Sequence, residues 1–176
     1  MNPLNKPLSE AIQAWKTALP AYSEDAFQQK PHDEAWSIGQ VYAHLTDATR
    51  FFHMRMILGC LQSSEGGEVP ASDGWSQMKA AGSFPPIRIK VPPSPQYTPR
   101  QPENVAVIAE KLNVLEADLL ALGNTIAQTP QSGKQAHPRL GALDAQEWFQ
   151  LIEMHFRHHL RQKANLDQWL AGGEYP

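Results

Sequence analysis

The sequence predicts an all-α four-helix bundle with a long Pro-rich crossover connection between helices two and three. Three observations carry that prediction. Apolar residues recur at helical spacing in four segments, two of these segments open on capping boxes, and no stretch alternates convincingly enough to organise a sheet.

The first helix is expected from about Leu8 to Gln28, because Leu8, Ile12, Trp15 and Leu19 fall at 4-3-4 spacing. Pro20 should end or kink it, since proline removes a helical donor and clashes with the preceding turn. The second helix starts after Ser37, an N-cap whose capping box is completed by Gln40, with Trp36 and Val41 placed as a hydrophobic staple. It should run to about Leu61. A stretch from Gln62 to Gln101 follows, crowded with Pro70, Pro85, Pro86, Pro92, Pro93, Pro95 and Pro99 and with Gly66, Gly67 and Gly74. It reads as an irregular connection with little helix, in which Ile87 to Val91 alternates like a short extended piece. The third helix, Pro102 to Leu122, spaces Val105, Ile108, Leu112, Leu115, Leu119 and Leu122 at 3-4-3-4-3, and Gly123 stands where a left-handed cap would close it. The fourth repeats the opening of the second, with Asp144 and Glu147 as the capping box, and reaches Ala171, where Gly172 and Gly173 stop it.

Composition bounds the function. The 176 residues are 41% hydrophobic and 19% charged, as in a globular chain, and are expected to form a single domain over 1–176. A net charge of −3 supplies no basic stripe, so nucleic acid is not an expected partner. Cys60 is the one cysteine, which excludes an internal disulfide and a thiolate metal cluster, and it reads as a small buried hydrophobe. No apolar run approaches the ~20 residues of a membrane span, so a cytoplasmic protein is expected.

The chemistry concentrates on helix four. His155 and His159 are four residues apart and share one helical face, the spacing at which two imidazoles can reach one metal ion. Seven histidines would give about 0.24 such pairs by chance, so the pair alone is weak. The seam strengthens it: Trp148, Ile152, His155, His159, Gln162, Leu166 and Trp169 follow at 4-3-4-3-4-3 spacing and should face the bundle interior. Buried imidazoles without partners would each cost roughly 1–3 kcal/mol, so a ligand or acceptor must satisfy them. His44 offers a third ligand, on a stripe of Val41, His44, Ala48, Phe51 and Arg55. Gln162 or Asp47 is placed to orient a ligand ring, and Arg55 to meet an anionic substrate, though a solvated arginine is the simpler reading. By the same wheel His158 is exposed or stands behind a ligand, while His53 and His32 lie off the seam as solvent groups.

Two blocks of sequence resemble a known family. Trp36-Ser37-Ile38-Gly39-Gln40-Val41 with His44-Leu45 is similar to the opening of the second helix in the DinB/YfiT-like superfamily. His137-Pro138-Arg139-Leu140-Gly141-Ala142-Leu143, Gln146-Glu147-Trp148 and His155-x-x-x-His159-x-x-Gln162 resemble its last helix and the loop before it. The resemblance implies a four-helix bundle with a long crossover and a divalent metal held by His44, His155 and His159. Zinc or nickel is the expected ion, with iron or manganese also in range. That superfamily, distinct from the DNA polymerase of similar name, includes thiol-dependent S-transferases, a thiol-dependent isomerase and proteins described as metal-dependent hydrolases.

The expected function is therefore a metal-dependent enzyme acting on a small molecule, with thiol-dependent S-transfer placed ahead of hydrolysis. Phe156 occupies the position at which a His-Glu-x-x-His motif has its glutamate, and amide cleavage suffers most without such a group. The alternatives are a metal-dependent hydrolase, or a non-enzymatic stress or interaction bundle with a structural or vestigial site. The expected partners are a small substrate, a low-molecular-weight thiol and a second copy of the chain in a homodimer, with no membrane. Metal affinity is expected to fall below about pH 6.5 as the imidazoles protonate.

Overall fold

The computed structural model describes residues 2–63, 70–85 and 98–176. Gly66, Gly67, Pro86, Pro92, Pro93, Pro95 and the expected extended piece from Ile87 to Val91 lie outside the described residues. In chain order the elements are α1 (Asn5–Ala18), a 3-10 turn (Leu19–Ala21), α2 (Glu24–Gln28), α3 (Ile38–Ala48), a π-helical segment (Thr49–His53), α4 (Met54–Gln62), α5 (Asp73–Ala81), α6 (Val105–Gln128), a hairpin of β1 (Lys134–His137) and β2 (Gly141–Asp144), and α7 (Ala145–Leu170).

The four-helix bundle consists of α1, the run α3 to α4, α6 and α7. Helix α1 lies against α6 and α7, α3 against the same two, and α4 against α7. Trp15, Tyr42, Phe27, Trp148, Phe149 and Phe156 fill the interior. Trp15 Nε1 donates to Phe156 O at 3.1 Å, and Tyr42 Oη donates to Trp15 O at 2.8 Å, so the polar tips of these two core rings are satisfied by backbone. Pro20 does end the first helix, in a 3-10 turn, before Ser23 caps the short α2 through Ala26 N. Both capping boxes form, at Ser37 with Gln40 and at Asp144 with Glu147.

Four expectations are corrected. The third helix does not end at Leu122: α6 runs on to Gln128, and Ile126 extends the buried stripe by one more step. Gly123 lies inside it, where a Cβ would come within 1.9 Å of Asn5 Oδ1 and 2.9 Å of Phe149 Cζ. The glycine is there for close approach of α1 and α7, not as a cap. The connection, expected to hold little helix, carries one of 9 residues. Ser72 accepts from Trp75 N, α5 follows, and Gly82 closes it at φ +61°. Trp75 is buried and its Nε1 donates to Glu147 Oε1 at 3.1 Å, which fixes α5 on the first turn of α7.

The third correction is the hairpin, antiparallel with Gln135 opposite Leu143. Arg139 N and Leu140 N donate to His137 Nδ1 at 3.1 and 3.2 Å, and Gly141, at φ +78°, passes so close to Pro70 O that a Cβ would meet it at 2.1 Å. The fourth is the π segment inside the second long helix. Buried Leu45, Thr49, His53 and Ile57 follow at steps of four, a row that would drift about 40° per step around an α-helix. A π turn closes i→i+5 bonds and takes more residues per turn, which holds this row in line. Among the described residues no helix is long and apolar enough to cross a membrane.

Candidate metal centre

Helices α3 and α7 bring the three expected histidines together. His155 Nε2 lies 3.1 Å from His44 Nε2 and 3.1 Å from His159 Nε2, and one ring nitrogen from each lies within 4.8 Å of the other two, an arrangement able to hold a metal ion. The capping box at Ser37 sets where α3 begins, and the box at Asp144 does the same for α7. Two turns into α3 and three turns into α7 the rings then face each other.

The donor set fits a small divalent cation. Bonds of about 2.0–2.1 Å to tetrahedrally arranged nitrogens put those nitrogens roughly 3.3 Å apart, close to the observed spacing. All three rings are held in the neutral, ligating form. Burial lowers His44 to about 4 against the opposing pull of the Asp47 carboxylate. Burial and then the neighbouring His44 lower His159 to about 3, although its bond to Gln162 opposes this. His155, the most deeply placed, is pushed well below 6.5 by burial first and then by the surrounding imidazoles. Gln162 Oε1 lies 2.8 Å from His159 Nδ1, so the amide oxygen accepts a hydrogen bond from an Nδ1–H and leaves the Nε2 lone pair facing the cluster.

Gln162 thus stands where it was expected, and Asp47 does not. The Asp47 carboxylate accepts from Lys111 Nζ at 3.2 Å instead of from a histidine. His158 is half-buried against the Phe84 ring, with centroids 5.1 Å apart, and His32 is exposed. Cys60 is buried, donates to Leu143 O at 3.4 Å and has its thiol pushed up to about 11 by burial, so it behaves as the small hydrophobe expected. Arg55 is exposed.

Two placements are overturned. Phe51, expected on the His44 stripe, is 72% exposed, because the π segment turns it away from the interior. His53, expected in solvent, is only 7% exposed, with its ring 5.4 Å from that of His155 and 6.1 Å from that of Trp148. Nine residues of ideal α-helix put His53 half a turn from His44. The wider π turns bring it back toward α7. The four-residue row Leu45, Thr49, His53 and Ile57 was the available signal.

Aromatic rings border the centre, with Trp36 5.1 Å from His44 and Phe84 6.3 Å from His155. The acidic groups nearest in sequence are paired elsewhere: Glu153 with Arg157, and Asp167 with Lys163 and the Tyr22 hydroxyl.

No curated protein matches the chain. Among solved structures, YfiT from Bacillus subtilis, described as a probable metal-dependent hydrolase with an unusual four-helix bundle topology, is similar with a TM-score of 0.63 at 18% identity. The match covers 97% of this chain and 87% of that one, and at this identity it speaks for the fold. The sequence model of the DinB superfamily matches residues 8–162, most of the chain, from the first helix through the last expected site residue. The chain belongs to the DinB superfamily.

Proposed function

We propose that the protein is a metal-dependent enzyme acting on a small molecule, with one divalent ion held by His44, His155 and His159. The carrying observation is the convergence of three neutral Nε2 atoms from α3 and α7. A divalent ion held there would supply Lewis acidity and lower the pKa of a small nucleophile, thiol or water. The three imidazoles would hold the ion through one nitrogen each, a donor set of the size found in catalytic sites. Gln162 holds the His159 ring in its ligating tautomer, and the Trp36 and Phe84 rings border the centre.

Thiol-dependent S-transfer is the first reading of the reaction. Among the described residues no carboxylate is hydrogen-bonded to any of the three rings, and Asp47, Glu153 and Asp167 have partners of their own. Amide hydrolysis needs a proton delivered to the leaving nitrogen, whereas transfer of a thiol to an activated halide or epoxide does not. The second reading is hydrolysis, favoured by the likeness to YfiT. Zinc and nickel suit a nitrogen donor set best, with iron and manganese behind them.

The test is to load the protein with zinc, nickel or manganese and offer an activated alkyl halide with several low-molecular-weight thiols. Metal-dependent conjugation above the background rate is expected. Single replacements His44→Ala, His155→Ala and His159→Ala should each abolish it and lower metal affinity by at least about tenfold, while His158→Ala changes affinity little. Hydrolysis of esters or amides without any thiol transfer would favour the second reading. Equal losses from all four replacements would mean that the histidines act through general stability.

A further inference from the structure

We propose that His53 is a positioning residue of this centre: His155 Nδ1–H donates to one internal water, that water donates to His53 Nδ1, and the relay keeps His155 Nε2 aimed at His44 and His159. The inference rests on the metal reading above and extends it to a residue outside the three-histidine set.

A ring that offers its Nε2 lone pair carries its proton on Nδ1. For His159 that proton has an acceptor in Gln162 Oε1 at 2.8 Å. For His155 it has none among the described residues, where Nδ1 is buried and without a partner. A buried N–H left in that condition costs about 1–3 kcal/mol and leaves the ring free to turn.

Only four buried side-chain polar atoms among the described residues lack a partner: Asn5 Oδ1, Thr49 Oγ1, His53 Nδ1 and His155 Nδ1. The two nitrogens belong to rings packed edge to face, 5.4 Å between centroids and 85° between planes. Thr49 sits on the same π segment as His53.

Other rings beside His155 cannot take the proton. His44 and His159 meet it through Nε2, on the opposite edge of the ring, and Phe84 has no acceptor. His137, which neighbours Trp148, already receives two backbone N–H groups on its own Nδ1. That leaves His53. An internal water needs two to four polar partners, and the two orphaned nitrogens provide the minimum.

Two replacements separate hydrogen bonding from packing. His53→Phe keeps a ring of similar size without an acceptor, and His53→Gln keeps an acceptor without the ring. Zinc affinity is measured by competition with a chromophoric chelator, and ligand geometry by the visible spectrum of the cobalt-loaded protein. His53→Phe should lose about tenfold to a hundredfold in affinity and shift the cobalt bands. His53→Gln should recover most of both, with metal-free melting temperatures alike. Wild-type affinity in a folded His53→Phe protein, or an equal loss in His53→Gln, would overturn the assignment while leaving the three-histidine centre intact. Failure of the unaltered protein to bind zinc, cobalt or nickel would overturn both.

Should either variant fail to fold, ring-nitrogen NMR on the zinc-loaded wild type decides. The expected pattern is a proton on Nδ1 of His155 and on Nε2 of His53. A proton on Nδ1 of His53 would overturn the assignment.

Discussion

At the scale of single residues, Gly123 shows how one missing methyl sets the distance between helices. Asn5 Nδ2 donates to Leu120 O at 3.0 Å and to Asn124 Oδ1 at 3.1 Å, so the Asn5 side chain is held from two sides and cannot yield to a Cβ. Gly123→Ala would gain helix propensity of roughly 1 kcal/mol and meet overpacking of about 1–3 kcal/mol. The net expectation is a loss of stability, read as a lower urea midpoint with an unchanged slope; a stabilised variant would mean that α1 can move away. His53 teaches a related lesson. Its type and number were plain in the sequence, but its direction depended on a π segment that ideal helical geometry does not include. His44, His155 and His159 were legible because each lies on a seam whose phase is set by a nearby capping box.

At the scale of elements, the long helices were legible from periodicity and caps, and the small elements were not. The α5 signal, Ser72 and Asp73 before Trp75 and Met78 with Gly82 after, is complete but sits among prolines and glycines that mark loop. The hairpin escaped notice because each strand has four residues, too few for alternation to declare itself, and its turn is organised by a histidine nitrogen. The place of α5 in the fold can be tested directly. Trp75→Ala removes a fully buried indole and its bond to Glu147 and should cost about 3–5 kcal/mol in urea unfolding. Lys79→Ala removes only a half-exposed ion pair with the same carboxylate, 2.9 Å away, and should cost less than about 1 kcal/mol. Equal costs would show that α5 is held by charge and not by the indole.

At the scale of the whole molecule, the neutral histidines make folding sensitive to acid. Unfolded, these rings titrate near 6.5; folded, His44 is lowered to about 4, and His53 and His159 to about 3, chiefly by burial. Above pH 6.5 neither state binds the protons, and the full contribution is present. Between pH 6.5 and about 4 the unfolded chain takes up protons that the folded one refuses, so stability falls as pH falls; below about 3 the dependence flattens. Melting temperature without added metal should therefore decline steadily from pH 7 to pH 4, and a maximum near pH 5 would contradict the burial of the cluster. In the folded protein, competition between protons and metal begins nearer pH 4 than the pH 6.5 suggested by free imidazole.

The ligand positions also have a kinetic meaning. His44 and His155 are 111 residues apart in the chain, so the centre is closed by one of the longest-range contacts in the fold. Long-range contacts bear the largest loop-closure cost and tend to form late. A partly folded chain in which α3 and α4 have formed but α7 is undocked presents one histidine on one side and an i,i+4 pair on the other, never the three together. Ion capture would then report the docking of α7 and not the formation of helix. During refolding, a signal from a bound cobalt ion should lag behind far-ultraviolet ellipticity and rise together with burial of the Trp148 indole.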